Sequence, residues 1–241
     1  MELEFKKLLA VFLFLLFCYN AGMVNRVIKK LVLSDFLLNS AFGLLAPIFA
    51  IFILKNIEGS TLRVVGLATT FYWIARTLTT VPLSRFMDRT DGERDEFYFM
   101  IVGSFMMSSI PLFFLLAKVP WHIYLIQFIS GLSASMAVPS WRILFTDHLD
   151  RGSTGYEWSL EDIAIGVSVG ISAYFGSLLA DKFGFHTVFI FVSMLGYLGT
   201  MILVPISRDA KNLAQIKREH RLEQIKLKRK TTLPAKMDGF K

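Results

Sequence analysis

Between Val64 and Ser84 the chain carries one charged residue, Arg76, in an otherwise apolar and threonine-rich run. Thr69, Trp73, Arg76 and Thr80 recur at helical spacing, so on a helix they share one face. A planar guanidinium fork is the side chain suited to holding a carboxylate or phosphate with paired hydrogen bonds. Candidate partners for Arg76 are Asp35 and Asn39 at the start of the preceding apolar run, which stand at i and i+4 and can meet on one helical face. Asp35 also suits the cap of that helix. Farther along, Gln127, Ser130 and Ala134 form a small and polar set. The chemistry open to these residues is non-covalent: a cavity for an anionic or polar small molecule, with Arg76, Asn39, Gln127, Trp73, Thr80 and Asp35 as its candidates. A buried structural arginine is the competing account of Arg76, and close helix packing is the simpler account of Ser130, Ala134 and the Gly166–Gly170 pair.

Covalent and metal chemistry find little to work with. Thr146–Asp150 (TDHLD) offers one histidine and two aspartates, too few for a metal site without a second cluster. No Gly-rich phosphate loop with lysine, no His-Glu-x-x-His and no nucleophile elbow occurs. Cys18 is the sole cysteine, so no disulfide forms within the chain. The expectation is no enzyme, no metal and no cofactor, with an intramembrane enzyme as the reading to be displaced.

The elements that hold these residues are oily. Hydrophobic residues make up 54% of the 241, Phe alone accounts for 23, and the mean hydropathy is +0.53. A soluble domain cannot bury that much apolar surface. Crossing a bilayer takes about 20 apolar residues, and six runs qualify: Phe36–Leu54, Val64–Ser84, Phe97–Ala117, Trp121–Trp141, Ile163–Ala180 and Phe185–Ile206. They do not alternate with period two, which argues against a β-barrel. Arg76, twelve residues before Asp88, then sits about 18 Å along its helix, near the bilayer midplane. A charge there costs at least about 2.5 kcal/mol, so it should face the bundle interior or a wet cavity. Pro47, Pro111 and Pro139 fall inside runs, where each can kink its helix. A seventh segment, Leu8–Val24, suits an extra transmembrane helix, an interfacial helix or a removed signal.

Charge gives the orientation. From Arg85 to Glu96, eight of twelve residues are charged. Cytoplasmic loops are rich in Lys and Arg. With this knot placed inside, Arg26, Lys29 and Lys30, the loop at Asp147–Glu157 and the tail fall inside too. Only Lys55, Arg63, Lys118 and Lys182 fall outside. Arg142 suits a snorkelling role at the inner interface. The tail from Ser207 to Lys241 carries the whole protein's excess of +7 and suits a basic helix on an anionic membrane surface. Beside six spans, nucleic acid is not the expected partner. The location is an inner or plasma membrane, with the C-terminus cytoplasmic.

The second run closes on Asp88-Arg89…Gly92 and the fifth on Asp181-Lys182…Gly184. Two three-helix units, the second inverted, would place these at equivalent positions. At this point the chain resembles one six-helix half of a major facilitator superfamily transporter, over roughly Asn25 to Ser207. The loop signature between the family's second and third helices is matched by Ser84, Asp88, Arg89, Gly92 and Arg94. It departs in Ser84, which stands for a glycine, in one inserted residue, and in Glu93, which stands for a basic one. Gln127 and Gly131 stand where the family's fourth helix often has arginine and glycine, and the fifth helix lacks a Gly-Pro pair. "GSLLADKFGFHTVF" resembles the family's segment joining helices five and six.

The resemblance implies an all-α membrane protein. Residues 1–24 would be the extra hydrophobic helix and 25–206 six transmembrane helices in two inverted three-helix repeats. Residues 207–241 would be the basic cytoplasmic tail. It further implies alternating-access transport of a small solute whose identity the sequence does not name. The Asp88–Arg89 loop would serve as a latch on the cytoplasmic side. The family places substrate between two such halves, so a second half, as a copy or a separate chain, is expected beside the lipid bilayer. The chain reads as a natural half, a split-gene product or a truncation. A membrane assembly or regulatory subunit that moves nothing is the alternative.

Overall fold

The computed structural model describes residues 26–89, 93–150 and 152–208, and the regular elements among them are all helical. The segment Leu8–Val24, Gly92 and nearly all of the basic tail lie outside the described residues.

Helices α1 (Arg26–Leu45) and α2 (Phe49–Asn56) meet at a 41° bend. Pro47 stands in the break; it has no N–H to donate and its ring crowds the preceding turn. The backbone ladder halts with Ala46 N–H donating to Phe42 O at 3.0 Å and resumes with Phe52 N–H donating to Ile48 O at 2.8 Å. Helices α3 (Leu62–Met87), α4 (Glu93–Phe114) and α5 (Pro120–Asp147) contain Pro82, Pro111 and Pro139 without interruption. Of the prolines expected to kink a run, Pro47 alone breaks its helix.

Helix α6 (Thr154–Leu203) is 50 residues long and ends in a 3-10 turn, Val204–Arg208. At 1.5 Å per residue that is about 75 Å, more than twice a bilayer's hydrocarbon thickness. It is not one rod. Gly184, at φ 77° and ψ 169°, leaves the helical region and separates two arms, 154–183 and 185–203. An L-side chain rarely adopts that φ, so the break needs glycine. The arms run in opposite directions along α1. On the first, Glu161 meets Asp35 and Ser172 lies by Gly43. On the second, Phe189 packs on Phe52 at 4.7 Å and Gly199 O accepts from Ser34 Oγ at 2.8 Å.

The turns gather at two ends. Glu58 N–H donates to Lys118 O at 3.1 Å, joining the α2–α3 turn to the α4–α5 turn, and Phe185 lies 5.7 Å from Phe52 at that same end. An apolar cluster around Ile53, Phe114, Ile123 and Phe189 fills this end. Another, around Ile28, Met100, Phe145 and Leu203, fills the opposite one. Helix α1 packs on both arms of α6; α5 packs on α3 and α4; α4 also meets α6.

Small residues make these approaches possible. A side-chain carbon on Gly131 would strike Tyr72 O of α3, and one on Gly176 would strike Leu44 O of α1. Ser34, Ser104, Ser108, Ser133, Ser140 and Ser168 are buried, whereas Leu78, Leu116, Trp121, Met194 and Met201 are exposed. Buried serines and close-packed glycines among the apolar core, beneath a leucine and aromatic exterior, are the pattern of helices packed in lipid. This is an integral membrane protein. Three helices are long and apolar enough to cross by length and composition: Arg94–Phe114, Pro120–Asp147 and Thr154–Ile206, the last counted across its break. The bent α1–α2 pair makes a fourth. Helix α3 falls short because Thr69, Thr70, Arg76, Thr77, Thr79 and Thr80 dilute its apolar run.

Candidate functional site

Helix α3 has two chemically different sides. Val64, Ala68 and Ala75 are buried against the bundle. Phe71 stacks on Tyr124 at 5.2 Å, and the Thr79 and Ser135 hydroxyls hydrogen-bond at 2.6 Å. The other side is turned away from α5. Thr69, Thr70, Trp73 and Thr77 are exposed there, and Arg76, Thr80 and Ser84 are partly exposed. A shallow groove of about 440 Å³ runs along Thr69, Thr70, Trp73, Ile74, Thr77 and Leu78. The stripe predicted from spacing exists, but it is not turned into this chain's own core.

Arg76 lies midway along this face. Its Nη1 donates to Tyr72 Oη at 2.8 Å, and its guanidinium carbon sits 5.2 Å from the Trp73 ring and 5.9 Å from the Tyr72 ring. Both rings offer a negative face to the cation. Tyr72 is fixed in turn, because Gly131 lets the α5 backbone press on its carbonyl.

Asp35 and Asn39 are not the partners of Arg76. They serve each other: Asn39 Nδ2 donates to Asp35 Oδ2 at 2.6 Å and to Asp35 O at 2.9 Å. Both line a cavity of about 120 Å³ with Phe42, Ser104, Met107 and Trp141. Phe42 also borders a second cavity, of about 200 Å³, that holds Gln127 and Ser130. The candidates therefore separate into two groups. Asp35, Asn39 and Gln127 line cavities between α1, α4 and α5, while Trp73, Arg76 and Thr80 line the open face of α3.

Glu161 was missed by sequence reasoning. Its carboxyl is hydrogen-bonded to Asp35, with Arg142 of α5 in electrostatic reach of both, and it is only 5% exposed. The apolar run starts at Ile163, whereas the helix begins at Thr154, which carries Glu161 two turns inside. The i, i+4 pair Glu157–Glu161 was the available signal.

Among the polar-loop residues, Asp88 and Arg89 are exposed beyond the end of α3, and Arg94 is exposed at the start of α4. Asp88 N–H donates to Ser84 O at 2.9 Å, which closes the last turn. Neither the Asp88 nor the Arg89 side chain has a hydrogen-bond or ion-pair partner among the described residues. Asp181 and Lys182 are exposed immediately before the break at Gly184. Gly166 and Gly170 have open space where a side chain would go, so within this chain they do not serve packing. Among the described residues no group of three His, Cys, Asp or Glu could hold a metal ion.

A family model described as Major Facilitator Superfamily matches residues 31–235. The chain belongs to the Major Facilitator Superfamily. One superfamily relative, an uncharacterized MFS-type transporter of Methanocaldococcus jannaschii, is 22% identical over 181 residues, which is 75% of this chain and 45% of that protein. The in meso crystal structure of the POT family transporter PepTSo is similar with a TM-score of 0.61 at 16% identity, over 78% of this chain and 38% of that one. This superfamily chain thus spans less than half the length of either protein. The structural likeness establishes the fold, including the helical bundle that carries the α3 face.

Proposed function

We propose that the chain forms a six-span facilitator half that works with a second half to carry a small solute by alternating access. The spans are 26–56, broken at Pro47, then 62–87, 93–114, 120–147, 154–183 and 185–206. Taken as two three-helix units, helix one pairs with helix five and helix two with helix four. A two-fold axis in the membrane plane exchanges those two pairings, as inverted repeats require. Residues 1–24 supply an additional hydrophobic segment and 207–241 a basic tail on the cytoplasmic side of the cell membrane. Asp88 and Arg89 form the latch on that side.

The observation that carries this reading is the polar side of α3, left uncovered by the described residues. A guanidinium, a tryptophan and several threonines in mid-helix are costly against lipid tails. A second half, either another copy or a separate chain, covers that face and leaves a wet path beside it. Asp35, Asn39 and Gln127 line the adjoining cavities. The full chain reconstituted in liposomes, alone and with candidate partner halves, should take up solute. Native mass spectrometry in lipid should show two six-helix units in the active species. A monomer in lipid that still transports refutes the two-half arrangement. A monomer that never transports, with any partner, favours the non-transporting subunit.

A further inference from the structure

The Arg76 guanidinium has donors to spare. One goes to Tyr72 Oη at 2.8 Å, and its faces are met by the Trp73 and Tyr72 rings. Among the described residues no carboxylate meets it, so most of its five N–H groups have no acceptor. Three of the threonines around it present the opposite chemistry. Thr69 Oγ1 donates to Val65 O at 3.1 Å, Thr70 Oγ1 to Gly66 O at 3.0 Å and Thr80 Oγ1 to Arg76 O at 2.6 Å. A hydroxyl has one proton, and each of these has spent it on its own helix. What they show outward is lone pairs.

The face therefore asks for two things in one ligand. The guanidinium asks for an anion, best a planar one that takes two parallel bonds. The threonine oxygens ask for a donor. A bare inorganic anion answers only the first and brings negative charge towards three acceptors. A carboxylate bearing its own hydroxyl or ammonium group answers both, and its carbon skeleton can lie on Trp73, which is 54% exposed. We infer that the open face of α3 binds a small hydroxy- or amino-carboxylate, with the carboxylate on Arg76 and the donor on Thr80 or Thr69. As an account of what is carried, this rests on the transport reading; as a binding site, it does not.

Phenylglyoxal labelling of the full chain in lipid nanodiscs, read by peptide mass spectrometry, separates the two. Arg63 and Arg85, on the same helix, are internal controls. Lactate and alanine are each propionate plus one donor, and lactamide is lactate without its charge. At a concentration four times Kd, a bound ligand slows modification by 1 + [L]/Kd, about fivefold. Lactate or alanine should slow the Arg76 adduct by that order and leave Arg63 and Arg85 unaffected. Propionate, sulfate and lactamide should protect far less. Thr80→Val should bring the donor-bearing acids down to the level of propionate. Equal protection by propionate or sulfate overturns the ligand class, and protection by no probe overturns the site. An Arg76 that stays unmodified while Arg63 and Arg85 react faces no wet path, which also overturns it. Uptake of the same probes into liposomes is scored separately: protection without uptake sinks the carrier role and keeps the site, and uptake without protection does the reverse.

Discussion

At the scale of single residues, Arg76 is the position with most at stake. Arg76→Lys keeps the charge but loses the planar fork. It should impair uptake while the thermal midpoint in detergent stays near wild type, and Arg76→Ala should impair uptake further. Wild-type rates in both would place the working cavity elsewhere. The carboxyl pair is a separate test. Glu161→Gln still offers a donor to Asp35 and should fold normally. Asp35→Ala removes the acceptor of Asn39 and the partner of Glu161 together, at a cost of about 1–3 kcal/mol for each buried group left unpaired. The thermal midpoints of the two variants should therefore separate clearly. Arg76 was legible in the sequence because a charge in an apolar run has to be explained. Its neighbours were not. Asp35 was the nearest carboxylate by topology, yet its local bond to Asn39 and its bond to Glu161 won, and neither depends on anything visible in hydropathy.

At the scale of helices, glycines decide where backbones meet and where they turn, and two contrasts test this. Gly131→Ala pushes a methyl against Tyr72 O and to 2.9 Å from Ala75 Cβ. Overpacking of this kind typically costs about 1–3 kcal/mol, and it should also weaken uptake by displacing the tyrosine that orients Arg76. Gly166→Ala, with open space around it, should be neutral or slightly stabilising, since alanine favours a helix by up to about 1 kcal/mol over glycine. Gly184→Ala meets no neighbour either, yet φ 77° with ψ 169° is a backbone region essentially reserved for glycine and should cost about 1–3 kcal/mol. Thermal unfolding of the three variants in one detergent orders them, and a destabilised Gly166→Ala would contradict the packing described. The spacing Gly166-x-x-x-Gly170 looks like a packing motif on paper. The chain instead packs through glycines with no such spacing, because what matters is which residue faces the crossing point, and that is fixed by helix rotation.

At the scale of the molecule, the prediction concerns sides. In a Cys18→Ser background, single cysteines at Asn56 or Ser60 should label from outside and one at Arg89 from inside. Labelling of both loops from one face would break the layout. The helical, membrane-embedded character was readable from composition, in long apolar runs that do not alternate with period two. The helix limits were less so. Helix α1 starts ten residues before its apolar run and α6 nine before, since Arg26, Lys29, Glu157 and Glu161 are helical while being too polar for a hydropathy window. Nothing in the sequence showed that the α3 stripe turns outward from its own bundle; that depends on Gly131 facing Tyr72.

The bond from Ser34 to Gly199 spans 165 residues, and it sets an order of events during synthesis. Helices α3, α4 and α5 are near neighbours in sequence and can dock as soon as α5 has left the ribosome. Helix α1 is made first but packs chiefly on α6, which is made last. Until both arms of α6 are in the membrane, α1 waits with Ser34, Gly43 and its buried stripe turned to lipid. The final closure of the first helix onto the last is therefore the step expected to come late in folding. A ribosome stalled before residue 154 leaves a species with α1 undocked, open to quality-control proteases.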